Sequence, residues 1–226
     1  MKKSRSVPVL IADDHPVVRE GLACIINHEP DLQVVAEAGS WPEAMEKIAV
    51  HRPELAILDL RMPGMEAADA IPVIREKSPA TRIIVLTSFE GDEDIYQALR
   101  AGATGYLPKA AGKEVLRECI RAVREGKTWI HPSAASKLVD RMQTPEITSR
   151  EVEVLQFIAV GKSNKEIGGL LGIAESTIKV HVNHILAKLG VDGRVAATVL
   201  ALQRGIVHSS PRPEPIPAGS ISRMEN

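Results

Sequence analysis

Five short apolar runs alternate with helical patterns through residues 7–124, and no other feature restricts the fold so strongly. The runs are VPVLIA from Val7, LQVVAEA from Leu32, ELAILDL from Glu54, TRIIVLTS from Thr81 and GYLP from Gly105. Between them, apolar residues recur at helical spacing near 16–27, 42–50, 67–77, 93–101 and 112–125. Strand–helix alternation of this kind predicts a parallel sheet with helices on both faces. The unbroken apolarity of Val7 to Ala12 and of Ile83 to Leu86 fits strands buried on two sides. The expectation for residues 5–125 is therefore a doubly wound, five-stranded α/β domain.

Beyond Gly126 the periodicity weakens. Gly126, Pro132 and Pro145 punctuate residues 126–145, which read as an interdomain linker with room for a short helix from Ala134 to Met142. Residues 146–208 carry four helical patterns. Thr148 with Glu151, and Ser163 with Glu166, are capping boxes ahead of apolar runs. Asp192 is placed to cap a last helix through Val195, Val199 and Leu202, closed by Gly205. The tail, residues 209–226, has prolines at 211, 213, 215 and 217 and almost no apolar content, so disorder is expected there.

Composition narrows the class further. An apolar fraction of 44% and a charged fraction of 25% suit a globular protein. No apolar run approaches the ~20 residues of a membrane span, and MKKSRS followed by VPVLIADD makes no signal peptide. Cys24 and Cys119 lie in helical patterns and belong to no metal-spaced set, which points to reduced packing residues in a cytoplasmic protein. The net charge of −1 is unevenly spread: residues 1–125 hold 16 Lys/Arg and 20 Asp/Glu, while 146–208 hold 7 and 6.

Within the rear module, SNKEIGGLLGIAESTIKVHVNHILAKLG (163–190) reads as two helices joined by a tight turn. Ile178, Val182, Ile185 and Leu189 make a buried stripe on the second. Ser176, Lys179, Val180, Asn183 and Ala187 fall opposite, with Lys188 in the last turn as a further cation. Lysine seeks phosphate, an amide suits base edges and an exposed valine suits a thymine methyl. This is the pattern of a helix that enters the DNA major groove. Its net of +1 is small for a DNA module, whose affinity rests largely on phosphate contacts.

In the front half, Asp13 and Asp14 follow the first apolar run and Asp59 follows the third. Ligands gather at the carboxyl ends of strands in a doubly wound sheet. Clustered carboxylates repel one another unless a cation lies between them, and oxygen-only ligands favour Mg²⁺. Thr87 and Lys109 end later runs, where a hydroxyl and an ammonium can hold phosphoryl oxygens. Asp59 is then a candidate nucleophile for an aspartyl phosphate. Taken singly, an Asp pair before Pro16 is also an ordinary helix cap, and a lone Asp after a strand an ordinary turn residue.

IADDHPVVREGL, LDLRMPGMEA, VLTSFE and AGATGYLPKA resemble the receiver domain of bacterial two-component response regulators. ITSREVEVLQFIAVGKSNKEIGGLLGIAESTIKVHVNHILAKLGV is similar to the LuxR-type helix-turn-helix of the NarL/FixJ subfamily. The resemblance spans residues 7–208. It implies Asp59 as phosphoacceptor for a cognate sensor histidine kinase. Mg²⁺ would be held by Asp14, Asp59 and the carbonyl of Arg61, with Asp13 acting through water. Thr87 and Tyr106 would be the switch pair, and Lys109 the phosphate-binding cation. Lys179, Val180 and Asn183 match base-reading positions, and the last helix matches the one used for dimerisation, although plain core packing explains it equally. Implied partners are DNA with inverted or direct half-sites, a second copy of the chain on phosphorylation, and RNA polymerase, with no membrane.

Departures from the family pattern also carry meaning. Pro108 precedes Lys109 where an aliphatic residue is usual, and Asn183 replaces a residue often basic in relatives. Ala174 stands at a helix start that favours Ser or Thr, a missing cap that costs ~1 kcal/mol. Gly168 and Gly169 are each expected to weaken their helix by about 1 kcal/mol against alanine. Arg61 and Phe89 lie two residues past Asp59 and Thr87, where side chains that shield a phosphoryl group predict slow self-dephosphorylation. Two rival readings are a constitutive DNA binder with the front domain as dimerisation scaffold, and an aspartyl-nucleophile phosphatase. The second lacks an acid two residues after the nucleophile, since Arg61 stands there.

Overall fold

The computed structural model describes residues 6–88 and 91–207, so Phe89 and the tail 209–226 lie outside the described residues. These residues group into two compact units, one of 6–88 with 97–132 and one of 91–96 with 133–207.

Through residues 7–130, strands and helices follow one another as the apolar runs require. They are β1 (Val7–Ala12), α1 (Pro16–Asn27), β2 (Leu32–Ala38), α2 (Trp41–His51), β3 (Leu55–Leu58), α3 (Ala67–Lys77), β4 (Arg82–Thr87), α4 (Asp92–Ala101), β5 (Gly105–Pro108), α5 (Lys113–Arg124) and β6 (Trp129–Ile130). All strand pairs are parallel, in the order β2-β1-β3-β4-β5-β6. Val9, Leu10 and Ile11 of β1 and all four residues of β3 are buried, as two-sided coverage by helices demands. The order turns back at β1, so the carboxyl ends of β1 and β3 flank the topological switch point.

The sheet has six strands where the sequence predicts five. The extra one, β6, lies in the segment read as linker and has two residues, too few for any periodicity to register. It occupies the open edge of β5: Trp129 N–H donates to Thr104 O at 2.9 Å and His131 N–H to Tyr106 O at 2.9 Å. An unpaired edge exposes backbone donors and acceptors, and even a short strand covers them.

The second unit contains α6 (Pro132–Met142), α7 (Ser149–Ala159), α8 (Asn164–Leu171), α9 (Glu175–Leu189) and α10 (Arg194–Arg204). Val154, Leu155, Ile158, Ile167, Ile178, Val182, Ile185, Leu189, Ala197 and Ala201 form its core. Both capping boxes are present, Thr148 with Glu151 and Ser163 with Glu166. The start of α10 differs from expectation: its N-cap is Gly193, without a side-chain cap, and Asp192 stands one residue too early. Arg194 ties this end of α10 to the start of α8, donating to Lys162 O at 2.6 Å and to Asn164 Oδ1 at 3.1 Å. Among the described residues no helix is long and apolar enough to cross a membrane.

Candidate functional site

The parallel ladder carries Asp13 and Asp59 to the same end of the sheet. Asp13 N–H donates to Ala38 O at 3.0 Å, and Asp59 N–H to Ala12 O at 2.8 Å, so each aspartate extends its strand by one rung. Both side chains are buried, Asp13 at 1% and Asp59 at 3% exposure. From the neighbouring strand end, Lys109 N–H bonds Thr87 O at 2.8 Å. Pro108 supplies no donor at this rung, and the lysine that follows makes the bond instead. The chain is thereby aimed so that Lys109 Nζ lies 2.6 Å from Asp13 Oδ2 and 2.8 Å from Asp59 Oδ2.

One ammonium cannot neutralise both carboxylates. Burial pushes the Asp59 carboxyl above its ordinary pKa, and the bond from Lys109 opposes the rise without cancelling it. For Lys109 itself, burial works to lower the pKa, but bonds to Asp13 and Asp59 outweigh burial and raise it. The shared ammonium is held more firmly in its charged form than Asp59 is. Asp59 Oδ1 is buried and has no hydrogen-bond partner among the described residues. A buried carboxylate oxygen without a partner is costly, so it marks a place made for a ligand.

One ligand atom from each of Asp13, Asp14, His15 and Asp59 lies within 4.8 Å of all the others. Asp14 is the solvent-facing acid of the group, its side chain 34% exposed. This donor set and the open oxygen of Asp59 fit a hard divalent cation such as Mg²⁺. Thr87 is fully buried at the end of β4, and Tyr106 is fully buried in β5. Arg61 follows β3 within the same loop as Asp59, its guanidinium 3.9 Å from Glu66.

Two features of this site escaped sequence reasoning. His15 stands next to the Asp pair in ADDH, but a lone histidine beside a proline carries no ligand signal by itself. The other is a brace on the loop after Asp59. Trp41, fully buried, donates its backbone N–H to Pro63 O at 3.0 Å, and Gly64 (φ +105°) lies so near Pro42 that a Cβ there would stand 2.5 Å from the ring. The start of α2 thus fixes the loop that carries the Arg61 carbonyl, and only glycine fits at 64.

In the helical unit, α9 buries Ile178, Val182, Ile185 and Leu189, as the periodicity predicts. Ser176, Lys179, Val180, Asn183 and Ala187 are exposed, with Val180 50% exposed. Lys188 lies elsewhere on the helix. Nine residues of helix separate it from Lys179, a rotation of roughly 180°. Its ammonium contacts Glu151 Oε2 at 2.6 Å and Glu146 O at 2.9 Å. Burial works to raise the Glu151 pKa, but hydrogen bonds from Lys188 and from the Thr148 backbone and hydroxyl prevail and hold it below the usual carboxylate range.

Ala174 is the N-cap of α9 and makes no side-chain cap bond, as expected. The paired glycines of α8 divide. A Cβ on Gly168 would meet Ile173 O at 2.7 Å, whereas Gly169 has nothing within 4 Å. Gly168 is therefore required by the close return of the chain into α9, and only Gly169 is a plain helix weakener.

Comparison with known proteins agrees with this arrangement. Residues 9–121 match the response regulator receiver domain family, and residues 145–201 match the bacterial regulatory proteins of the luxR family. The chain is 36% identical to the oxygen regulatory protein NreC of Staphylococcus epidermidis, over 88% of this chain and 98% of that protein. It is 37% identical to the nitrate/nitrite response regulator protein NarP of Escherichia coli, over 90% of this chain and 98% of that one. Among solved structures, the response regulator ChrA of a heme-sensing two-component system matches with TM-score 0.53 and 35% identity, over 89% of this chain and 99% of that chain. A complex of the response regulator RcsB with DNA matches with TM-score 0.65 and 25% identity, over 88% and 99%. The chain belongs to the two-component response regulators of the NarL/FixJ subfamily, which join a receiver domain to a LuxR-type DNA-binding helix-turn-helix and regulate transcription under phosphorylation control.

Proposed function

We propose that Asp59 accepts the phosphoryl group and that the acid cluster around it catalyses the transfer. The observation that carries this reading is the open Oδ1 of Asp59, buried beside a second carboxylate and a shared lysine. A carboxylate oxygen of Asp59 attacks phosphorus, the bond from phosphorus to a phosphohistidine nitrogen breaks, and the freed imidazole leaves with the kinase. Asp14, Asp59 and the Arg61 carbonyl are the groups to hold Mg²⁺, with Asp13 acting through water; bound there, the ion neutralises charge on the phosphoryl oxygens. Lys109 exchanges one carboxylate oxygen for a phosphoryl oxygen, and the buried hydroxyl of Thr87 takes another. Tyr106 follows Thr87 as the second member of the switch pair. Arg61 offers no acid to release the product, which makes the chain a switch and not a turnover enzyme.

Residues 5–125 form the receiver domain in this reading, 126–145 the linker with β6 and α6, 146–208 the DNA-binding domain and 209–226 the tail. Ser176, Lys179, Val180 and Asn183 contact DNA in the major groove. Two copies on paired half-sites compensate for the small positive charge of one, through effective concentration. Val195, Val199 and Leu202 on α10 are exposed at 79%, 48% and 41%, which supports a pairing face there. The partners are DNA, a histidine kinase, a second copy of the chain and RNA polymerase, all met in the cytoplasm. The test is uptake of phosphate from a small phosphodonor with Mg²⁺. Wild type becomes labelled and Asp59→Ala does not; equal labelling of both removes the assignment.

A further inference from the structure

We propose that His15 is a ligand of the divalent ion in the acid cluster, through Nδ1, and that this nitrogen extends the site from hard ions such as Mg²⁺ and Mn²⁺ to later transition-metal ions such as Co²⁺ and Ni²⁺. The inference rests on the reading of the cluster as a cation site. Its own observation is the placement of the imidazole. Nδ1 lies 2.6 Å from Asp14 Oδ1 and 3.2 Å from Asp13 Oδ1. The main chain is pinned as well, since His15 N–H donates to Asp13 Oδ1 at 2.9 Å. Arg19 Nη1 in turn donates to Asp13 O at 2.5 Å, fixing the turn from the other side.

These separations suit one ion. Ligands about 2.1 Å from a six-coordinate centre stand about 3 Å apart when adjacent and about 4.2 Å apart when opposite. His15 Nδ1 and Asp14 Oδ1 stand at hydrogen-bond distance and separate slightly when an ion takes the place of the shared proton, and the whole set lies within 4.8 Å. A small rotation of the acids closes the remainder. The cluster also holds an independent sign of an unfilled ligand position, the buried and unpartnered Oδ1 of Asp59.

His15 is not spent elsewhere in the fold. It is the N-cap residue of α1, yet its side chain makes no cap hydrogen bond, and the ring is 67% exposed. An ion arriving from solvent meets it first. Imidazole ligates through Nδ1 when the ring proton sits on Nε2. Imidazole nitrogen suits the later transition metals, whereas carboxylate, carbonyl and water alone suit Mg²⁺ and Mn²⁺, so His15 widens the choice of ion without weakening Mg²⁺.

The experiment uses the full chain with Mn²⁺ as probe, measured by electron spin-echo modulation, with affinities for Mg²⁺ and Co²⁺ by calorimetry. Wild type shows ¹⁴N modulation from one directly bound nitrogen. His15→Ala binds Mn²⁺ but loses that modulation, and its Co²⁺-over-Mg²⁺ affinity ratio falls about tenfold or more, at least what loss of an outer-shell partner costs. Mn²⁺ bound by wild type without ¹⁴N modulation, or modulation that persists in His15→Ala, overturns the role of His15 and leaves the cation site intact. Mn²⁺ bound equally by wild type and by Asp14→Asn/Asp59→Asn overturns the cation site and the role of His15 together.

Discussion

The acid cluster and α9 use charge in opposite ways. At the sheet end, Asp13, Asp59 and Lys109 are drawn into the interior, where each depends on the others and one oxygen of Asp59 is left open. On α9, the residues that face solvent are spread along a surface, while the one cation with close internal partners, Lys188, serves the fold. Interior charge is unstable until a ligand completes it, so its residues are tightly coupled. Surface charge is stable without a ligand, so its residues act almost independently. In the proposed reading, chemistry and switching belong to the first arrangement, and recognition by summed weak contacts belongs to the second.

The widest separation between the two regions is expected with Mg²⁺. An ion that binds only the folded receiver stabilises it by about 2.7 kcal/mol at a hundred times its Kd. Thermal unfolding should therefore shift upward with Mg²⁺ in wild type and much less in Asp14→Asn/Asp59→Asn, while the unfolding of an isolated 146–208 fragment should not respond. A response of that fragment equal to wild type would show the ion acting on the protein at large.

Next in size is the contrast between two lysines of one helix. Lys188→Ala leaves Glu151, only 4% exposed, without its cation and should destabilise the helical unit by about 2 kcal/mol, less than a fully buried pair because the lysine is 28% exposed. Lys179→Ala should leave stability within about 0.5 kcal/mol and weaken DNA binding at every sequence. The pH dependence has a definite sign. The carboxyl of Glu151 is held below its ordinary range, so its contribution is present above pH 4.5 and is lost as the pH falls through the depressed value. Glu151→Gln should flatten that acid limb of the stability curve. DNA binding that falls more in Lys188→Ala than in Lys179→Ala, at unchanged stability, would place Lys188 on the DNA face.

How much of this was legible in the sequence follows from the same contrast. Strand ends in a parallel sheet are marked by where an apolar run stops, so the apolar pattern alone aligns Asp13, Asp59, Thr87 and Lys109. Period alone also sorted α9 into a buried stripe and an outer face. What period does not carry is distance between segments. Nothing in the spacing says that Lys109 bridges two aspartates, that Trp41 and Pro42 brace the loop after Asp59, or that Lys188 has Glu151 across the core. The two-residue β6 fell below the length at which alternation can be seen. His15 was visible as a neighbour of the acids, but only its ring position makes it a candidate ligand.

A finer division within the recognition face is expected from side-chain chemistry. An amide pairs with adenine through two hydrogen bonds, so Asn183→Ala should relax choice at one base position, by about 1–3 kcal/mol of discrimination. Lys179→Ala should instead weaken all sequences alike and reduce the salt dependence of binding by about one counterion. Competition binding against a library of single-base variants separates the two. Uniform losses for both variants would reduce Asn183 to a phosphate contact.

The smallest effect comes from two adjacent residues that sequence reasoning treated alike. Gly169 is exposed, and a Cβ there has nothing within 4 Å, so Gly169→Ala should stabilise the helical unit by about 1 kcal/mol through helix propensity. Gly168 has the same propensity, but its added Cβ would meet the Ile173 carbonyl at 2.7 Å, a backbone atom that cannot swing aside. Gly168→Ala should therefore destabilise, because the turn must widen and α9 must shift against α8. Chemical denaturation of both variants reads the difference directly, and DNA affinity should fall only for Gly168→Ala. Equal gains in stability would mean that the turn into α9 is looser than a 2.7 Å contact allows, and that α8 does not fix where the recognition helix points.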